Sequence, residues 1–182
     1  MTRVVLLSDT HGYLHEAISS YCTHCDEVWH AGDFGICMPP NIGEPLLPLP
    51  QVGVWQADYF SKWIGKKVAF KGVYGNIDNA AIRANYPEQL HFSCEQVKVY
   101  MQHIGGYPGR YSKGVAENIV TNHTTLFISG HSHILKIMYD KKLGCLHMNP
   151  GAAGNQGWHK QKTLIRFVID GSVIKDCEVI TL

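Results

Sequence analysis

Two mixed β-sheets packed face to face with helices outside, an α/β sandwich, is the architecture this sequence predicts. Three observations predict it. Short apolar runs alternate with short helical stretches through the first half of the chain. The second half closes in hairpins. Nearly every apolar run delivers a polar cluster beside a glycine, and α/β sheets gather side chains beyond their carboxyl edges.

The elements follow in order. Val4 to Leu7 is continuously apolar, the pattern of a strand covered on both faces. Leu14, Ala17, Ile18 and Tyr21 share one face of a helix over about Leu14 to Tyr21. Glu27 to His30 is the second strand and Lys67 to Val73 the third. A short helix over Ala80 to Asn85 stops ahead of Pro87, because the residue before proline disfavours helix. Leu90 to Cys94 and Gln96 to Met101 read as paired strands. Ser112 to Asn122 is weakly helical, and Thr125 to Ile128 is a strand. Ile134 to Tyr139 and Cys145 to Met148 form a hairpin, as do Thr163 to Ile169 and Val173 to Leu182 around Asp170-Gly171.

The length of 182 residues predicts a single domain, with a proline-rich and aromatic insertion at about 38–64. Five prolines between Met38 and Pro50 exclude regular structure there. Trp55, Tyr59, Phe60 and Trp63 follow on a short helix, so the insertion is a lid, a surface for homo-oligomer formation or a segment tucked onto the core. No apolar run is long enough for a membrane span or a signal peptide, and the expected location is the cytoplasm. A formal charge of +1 with scattered Lys and Arg leaves no electrostatic footprint for long nucleic acid. Six cysteines need no disulfide framework in such a chain. Cys22-Thr23-His24-Cys25 reads as a reduced structural pair, with redox and zinc pairs as the alternatives.

The chemistry lies in Asp9-Thr10-His11, Gly32-Asp33, Gly75-Asn76, His103 and Gly130-His131-Ser132-His133, each just after a strand. Asp9 and His11 are two residues apart, as are His131 and His133, so on extended backbone each pair points one way. A carboxylate such as Asp33 can bridge two cations, and Asn76 can offer its amide oxygen. Mixed imidazole and oxygen donors favour manganese, iron, zinc or nickel over calcium. Any one fragment is weak evidence; their joint placement at strand ends points to a two-cation hydrolytic site.

An aspartate-x-histidine, a glycine-aspartate, a glycine-asparagine, an isolated histidine and a closing glycine-histidine-x-histidine, in that order, resemble the calcineurin-like metallophosphoesterases. The likeness is to their small YfcE-like and Vps29-like branch and runs nearly end to end. The resemblance implies a four-layer α/β/β/α sandwich of the metallo-dependent phosphatase type. It implies that Asp9, His11 and His133 hold one metal, that Asn76, His103 and His131 hold a second, and that Asp33 bridges. Two divalent transition-metal ions, manganese foremost, would serve a phosphodiesterase acting on a small phosphoester through a metal-bridging hydroxide. Many relatives carry a histidine after the glycine-asparagine that serves the departing oxygen. Here Ile77 stands in its place and Asp78 follows.

Asp33, Asn76, Asp78 and Arg110 are the candidate catalytic residues. Asp78 would accept a hydrogen bond from a metal ligand, and the Arg110 guanidinium would bind two phosphate oxygens. Tyr107 is a candidate pocket wall, Asn149 a support for its own loop, and Arg83 a weaker phosphate candidate or a helix cap. His30 reads as a packed ring, and His159 as either a structural ring or a residue within reach of substrate. The alternatives to an enzyme of small phosphodiesters are a protein-binding scaffold with a retained metal site, as in the related retromer subunit, and a nuclease of short nucleic acid.

Overall fold

A computed structural model describes residues 1–35, 61 and 64–182. Most of the 38–64 insertion, with the aromatic surface expected on it, lies outside the described residues. The first sheet runs in the order β12-β11-β1-β2-β3 and is built from β1 (Thr2–Leu7), β2 (Glu27–His30), β3 (Ala69–Gly72), β11 (Thr163–Asp170) and β12 (Val173–Thr181). The second runs β4-β5-β8-β10-β9, from β4 (Gln89–Cys94), β5 (Val97–Gln102), β8 (Leu126–Ile128), β9 (Lys136–Asp140) and β10 (Cys145–Asn149). A two-residue ribbon pairs β6 (Gly106–Tyr107) with β7 (Arg110–Tyr111).

Alternation along β1 builds the layers. Val4 and Leu6 enter an inter-sheet core with Trp29, Val99, Met101, Leu126, Ile128 and Met148. Val5 and Leu7 face the other way, onto Ile18 and Cys22 of α1 (Ala17–Cys22) and Ile82 of α2 (Ala80–Asn85). On the far side, Tyr100, Phe127 and Cys145 pack against Val115 and Ile119 of α3 (Val115–Thr121). The result is the expected four-layer α/β/β/α sandwich. Side chains from both faces of each sheet are removed from water, which is the main favourable contribution to folding.

Each sheet holds three parallel strands, β1-β2-β3 in one and β5-β8-β10 in the other, flanked by antiparallel partners. The candidate residues lie on loops at the carboxyl ends of these parallel strands, where the chain is free to converge. Among the described residues, no helix is long and apolar enough to cross a membrane. Cys22, Cys25, Cys94, Cys145 and Cys177 are free thiols.

Several boundaries differ from the sequence reading by one to three residues, and three of them have a clear local reason. Helix α1 begins at Ala17 rather than Leu14, because the preceding residues are drawn into the site loop: Gly12 N–H donates to Phe34 O at 2.6 Å. Helix α3 begins at Val115, since Gly114 holds a left-handed φ of 83° that ends any helix running through it. Strand β9 starts at Lys136 because Ile134 N–H turns back onto Ser132 Oγ at 3.3 Å.

Candidate metal centre

Two triads of metal-ligand atoms assemble, Asp9 with His11 and His133, and Asp33 with His103 and His131. Within each triad the ligand atoms lie within 4.8 Å of one another. The triads adjoin: Asp9 Oδ1 is 4.0 Å from His103 Nε2, which is itself 3.1 Å from Asp33 Oδ2. Asn76 Oδ1 stands 3.2 Å from the same His103 nitrogen. All seven residues expected from the sequence therefore surround one small volume.

The way they converge differs from the extended backbone expected for Asp9-x-His11 and His131-x-His133. Asp9, His11, Asp33, His131 and His133 all hold left-handed backbone, with φ between 48° and 65°. Only Glu95, His123 and Asp176 share that conformation among the other described non-glycine residues. A left-handed aspartate or histidine costs roughly 1–3 kcal/mol and persists where its surroundings over-determine it. Tight turns, not alternation along a strand, bring each pair to the same side.

Hydrogen bonds fix which atoms face inward. His103 Nδ1 donates to Ala31 O at 2.7 Å, so its Nε2 faces the oxygens of Asp33 and Asn76. Asp33 Oδ1 accepts from Ile77 N–H at 3.0 Å, leaving Oδ2 for the site. Asp9 Oδ2 accepts from His131 N–H at 3.1 Å, whereas Asp9 Oδ1 is buried with no hydrogen-bond partner. His11 Nε2 and His133 Nε2 approach to 3.2 Å. Imidazole nitrogens and carboxylate and amide oxygens facing one volume are a donor set that fits divalent metal.

The electrostatics point the same way. Burial alone would raise the Asp33 carboxyl, but the hydrogen bond and charge of His103, the Ile77 N–H and the charge of His11 bring it below its usual range. Burial pulls His103 down, and Asp33 and Asp9 overcome it to raise the imidazole. His133 is raised chiefly by the Asp9 carboxylate, whose Oδ1 lies 3.2 Å from its Nε2. His11 is lowered by burial. The Asp33 carboxylate thus keeps the charge a cation needs.

Support comes from residues behind these ligands. Among the described residues, the hydrogen bonds of the Asp78 carboxylate go to backbone rather than to a metal-ligand side chain. Its Oδ1 accepts from Gly35 N–H at 2.9 Å and its Oδ2 from Gly75 N–H at 2.8 Å, clasping the loop after Asp33 to the loop before Asn76. Asn149 Nδ2 donates to Gly130 O at 2.8 Å and steadies the loop of His131 and His133. Arg83 donates to Asp78 O and Asn76 O, so its guanidinium is spent on backbone. His30 is fully buried, stacked on Phe34 and hydrogen-bonded to Thr10 Oγ1 at 3.0 Å. His159 packs edge-on to His133 at 5.2 Å between ring centres. Arg110 is exposed on the β6–β7 ribbon, away from the ligand cluster's cavities, while Tyr107 lines one of them.

That cavity, of about 200 Å³, lies beyond His131 and includes Tyr107, Lys136 and His147. A second, of about 210 Å³, lies beyond Asn76 and His103 and includes Tyr74, Arg83 and Gln102. Ile104 borders both. Lys136 and His147 were not picked out from sequence. Their one signal was a polar residue inside an apolar strand, as in Leu146-His147-Met148.

A four-layer sandwich whose parallel strand ends gather aspartate, asparagine and histidine around one small volume defines the metallo-dependent phosphatase class. The calcineurin-like phosphoesterase superfamily domain matches residues 2–172, and the chain belongs to that family. Solved structures show the same fold at low identity. A conserved uncharacterized protein of Streptococcus pneumoniae TIGR4, a predicted phosphoesterase, is 19% identical with a TM-score of 0.63, covering 99% of this chain and 89% of its own. A Thermotoga maritima protein is 20% identical, with a TM-score of 0.63 and full coverage of both chains. Vps29 of Entamoeba histolytica, crystallised with Zn²⁺, is 14% identical with a TM-score of 0.64 and 98% coverage of each chain. No curated protein matches the chain significantly.

Proposed function

We propose that this chain is a metal-dependent phosphoesterase that hydrolyses a small phosphodiester with two divalent transition ions at the adjoining triads. The observation that carries the reading is Asp9 Oδ1, buried without a hydrogen bond and facing His133 Nε2 at 3.2 Å and His103 Nε2 at 4.0 Å. A buried carboxylate oxygen in that setting is costly unless it meets a cation. Imidazole and carboxylate donors together suit manganese, iron, zinc or nickel, and manganese is the first to test. When bound, such ions polarise a phosphoryl oxygen and acidify a water.

The chain's own groups favour a diester. Arg83 is committed to backbone oxygens, and Arg110 is exposed on the ribbon. A monoester's second negative charge therefore finds no free guanidinium beside the ligands. Cavities on both sides of the site leave room for two ester arms. Ile77 has no proton to give, so esters with good leaving groups react best.

Metal-stripped protein given manganese should release nitrophenol from bis(p-nitrophenyl) phosphate. Asp33→Asn should lower that rate by at least about 100-fold, since even partners behind a metal ligand are worth about 10–100-fold. Equal rates with and without manganese, or an unimpaired Asp33→Asn, would overturn the reading. A protein-binding scaffold with a retained metal site is the second reading. It is favoured by the exposed Ile137, Met138 and Tyr139 along edge strand β9, with Ile134 exposed just ahead of it. It replaces the first if the protein takes up metal yet cleaves no ester in a broad panel.

A further inference from the structure

We infer that strand β9 is the contact edge of a homodimer, in which a second copy of this chain pairs its own β9 antiparallel to the first across a two-fold axis at Met138. The inference stands apart from the phosphoesterase reading and concerns how the chain assembles.

Hydrogen-bond alternation shows which groups of β9 are free. Leu146 N–H donates to Thr125 O, and Met148 O accepts from Ser129 N–H, so these two residues of β10 bond toward β8. Along a strand the N–H and C=O of one residue point to one side and those of its neighbours to the other. His147 therefore bonds toward β9, where it lies opposite Met138. Lys136, Met138 and Asp140 spend their backbone groups on β10, while Ile137 and Tyr139 turn theirs outward from the sheet edge. Their side chains are also open to water: Ile137 is 41% and Tyr139 58% exposed, with Met138 at 45% between them.

An apolar edge of this kind pairs with another strand unless something blunts it. Among the described strands, the other edges of the two large sheets are blunted. β12 shifts register through a bulge at left-handed Asp176 and carries Lys175 and Glu178. β3 is four residues long, with Lys71 tied to Glu27. β4 keeps Leu90 and Phe92 partly buried against the core. β9 pairs with β10 in unbroken register and has neither a bulge nor a proline.

Charge order identifies the occupant. The strand begins with Lys136 and ends with Asp140. A parallel copy would set lysine against lysine and aspartate against aspartate. An antiparallel copy with its axis at Met138 sets Lys136 against Asp140 at both ends and Ile137 against Tyr139 on both sides of the axis. Opposite charges and aromatic–β-branched pairs are the cross-strand combinations that stabilise a sheet. Both charges are already held in place. The Lys136 ammonium rests on the Tyr107 ring, 3.5 Å from its centroid, and Asp140 Oδ2 accepts from the Tyr111 hydroxyl at 3.0 Å. The same register brings the outward groups of Ile137 onto those of Tyr139, so each free N–H meets a free C=O. Identical edges joined by a two-fold axis close on themselves, which ends assembly at two copies.

Sedimentation equilibrium of wild-type protein at high micromolar concentration should give twice the mass of one chain. Ile137→Lys/Tyr139→Lys sets lysine against lysine across the axis and should give the mass of one chain. Its far-UV circular dichroism should match wild type, because both side chains are exposed. A single-chain mass for wild type, or a doubled mass for the folded variant, overturns the inference. A cross-link fixes the register and decides the question if that variant fails to fold. Cα atoms directly opposite in a pair without hydrogen bonds lie about 4.5 Å apart, within disulfide reach, whereas diagonal neighbours lie about 7–8 Å apart, beyond it. In a Cys37→Ser/Cys177→Ser background, diamide should therefore join two copies through Met138→Cys and not through Ile137→Cys. No cross-link at Met138→Cys, or equal cross-linking at both positions, overturns it.

Discussion

Replacing Asp78 by asparagine cuts half of the clasp between the loop after Asp33 and the loop before Asn76. The aspartate takes Gly35 N–H on one oxygen and Gly75 N–H on the other. An amide has one oxygen for those two donors, and its NH₂ must face the remaining backbone N–H. Losing a bond to a charged acceptor costs about 1.5–3 kcal/mol, and an unmet buried N–H adds about 1–3 kcal/mol in part of the same loss. Against this, burial raises the Asp78 carboxyl despite the Gly75 and Gly35 amides, so the neutral side chain recovers some desolvation energy. The net loss is about 1–3 kcal/mol, roughly 3–10 °C in Tm for a chain of this size. Because the clasp aligns Asp33 with Asn76, manganese affinity should fall by about 10–100-fold as well. Thermal unfolding of stripped protein and calorimetric titration with manganese read the two effects separately. A variant with lowered Tm but manganese affinity within twofold of wild type would refute the positioning role.

Three further outcomes follow from the same structure. Stripped protein should lose about 3 kcal/mol of stability from His147 as pH falls from about 6.5 to about 4: its folded pKa lies below the unfolded one, so the unfolded chain binds the extra proton there. Urea titrations at pH 7 and pH 4.5 check this, and His147→Phe should flatten the difference; an unchanged slope would show that the ring is not buried neutral. Gly75→Ala places a Cβ on the Asp33 carboxylate, so it should cost about 1–3 kcal/mol and most of the manganese uptake, read by metal analysis after gel filtration. Manganese at 1,000 times its Kd should stabilise wild type by about 4 kcal/mol and Asp9→Ala far less, as melting curves with and without metal will show.

Much of the architecture could be read from periodicity because burial on both faces leaves a plain imprint. Strand Glu27–His30 and helix Ala80–Asn85 fall where the sequence places them. Asn79 Oδ1 caps that helix by accepting from Ile82 N–H, and Tyr86 and Pro87 close it. The site was legible at the level of residue types, since aspartate, asparagine and histidine after apolar runs have few other reasons to recur. Backbone shape was not. Spacing two apart at Asp9 and His11 suggests extended chain, yet both are left-handed, because Asp9 N–H and His11 N–H bond to Gly32 O and Asp33 O on the neighbouring loop. That pairing is long-range and leaves no mark in local sequence. The same holds for Asp78, whose partner Gly35 lies 43 residues away, and for Lys136 and His147, which meet only when β9 pairs with β10.

Left-handed backbone at five candidate ligands also bears on how the centre takes up metal. Each strained turn is tied to another loop rather than to solvent: Gly12 N–H to Phe34 O, Gly130 N–H to His103 O, Gly154 N–H to Asp9 O and His131 N–H to Asp9 Oδ2. Strain of roughly 1–3 kcal/mol per residue is therefore offset by bonds that need no ion. A site held in this way does not have to order its loops when a cation arrives. Asp9 Oδ1 lies 3.2 Å from His133 Nε2, and Asp33 Oδ2 lies 3.1 Å from His103 Nε2. The carboxylates raise both imidazoles, so without a cation a ring proton holds each pair together. A cation displaces those protons, and its affinity should therefore fall as pH drops. The turns set geometry before binding, and the displaced protons set its pH dependence.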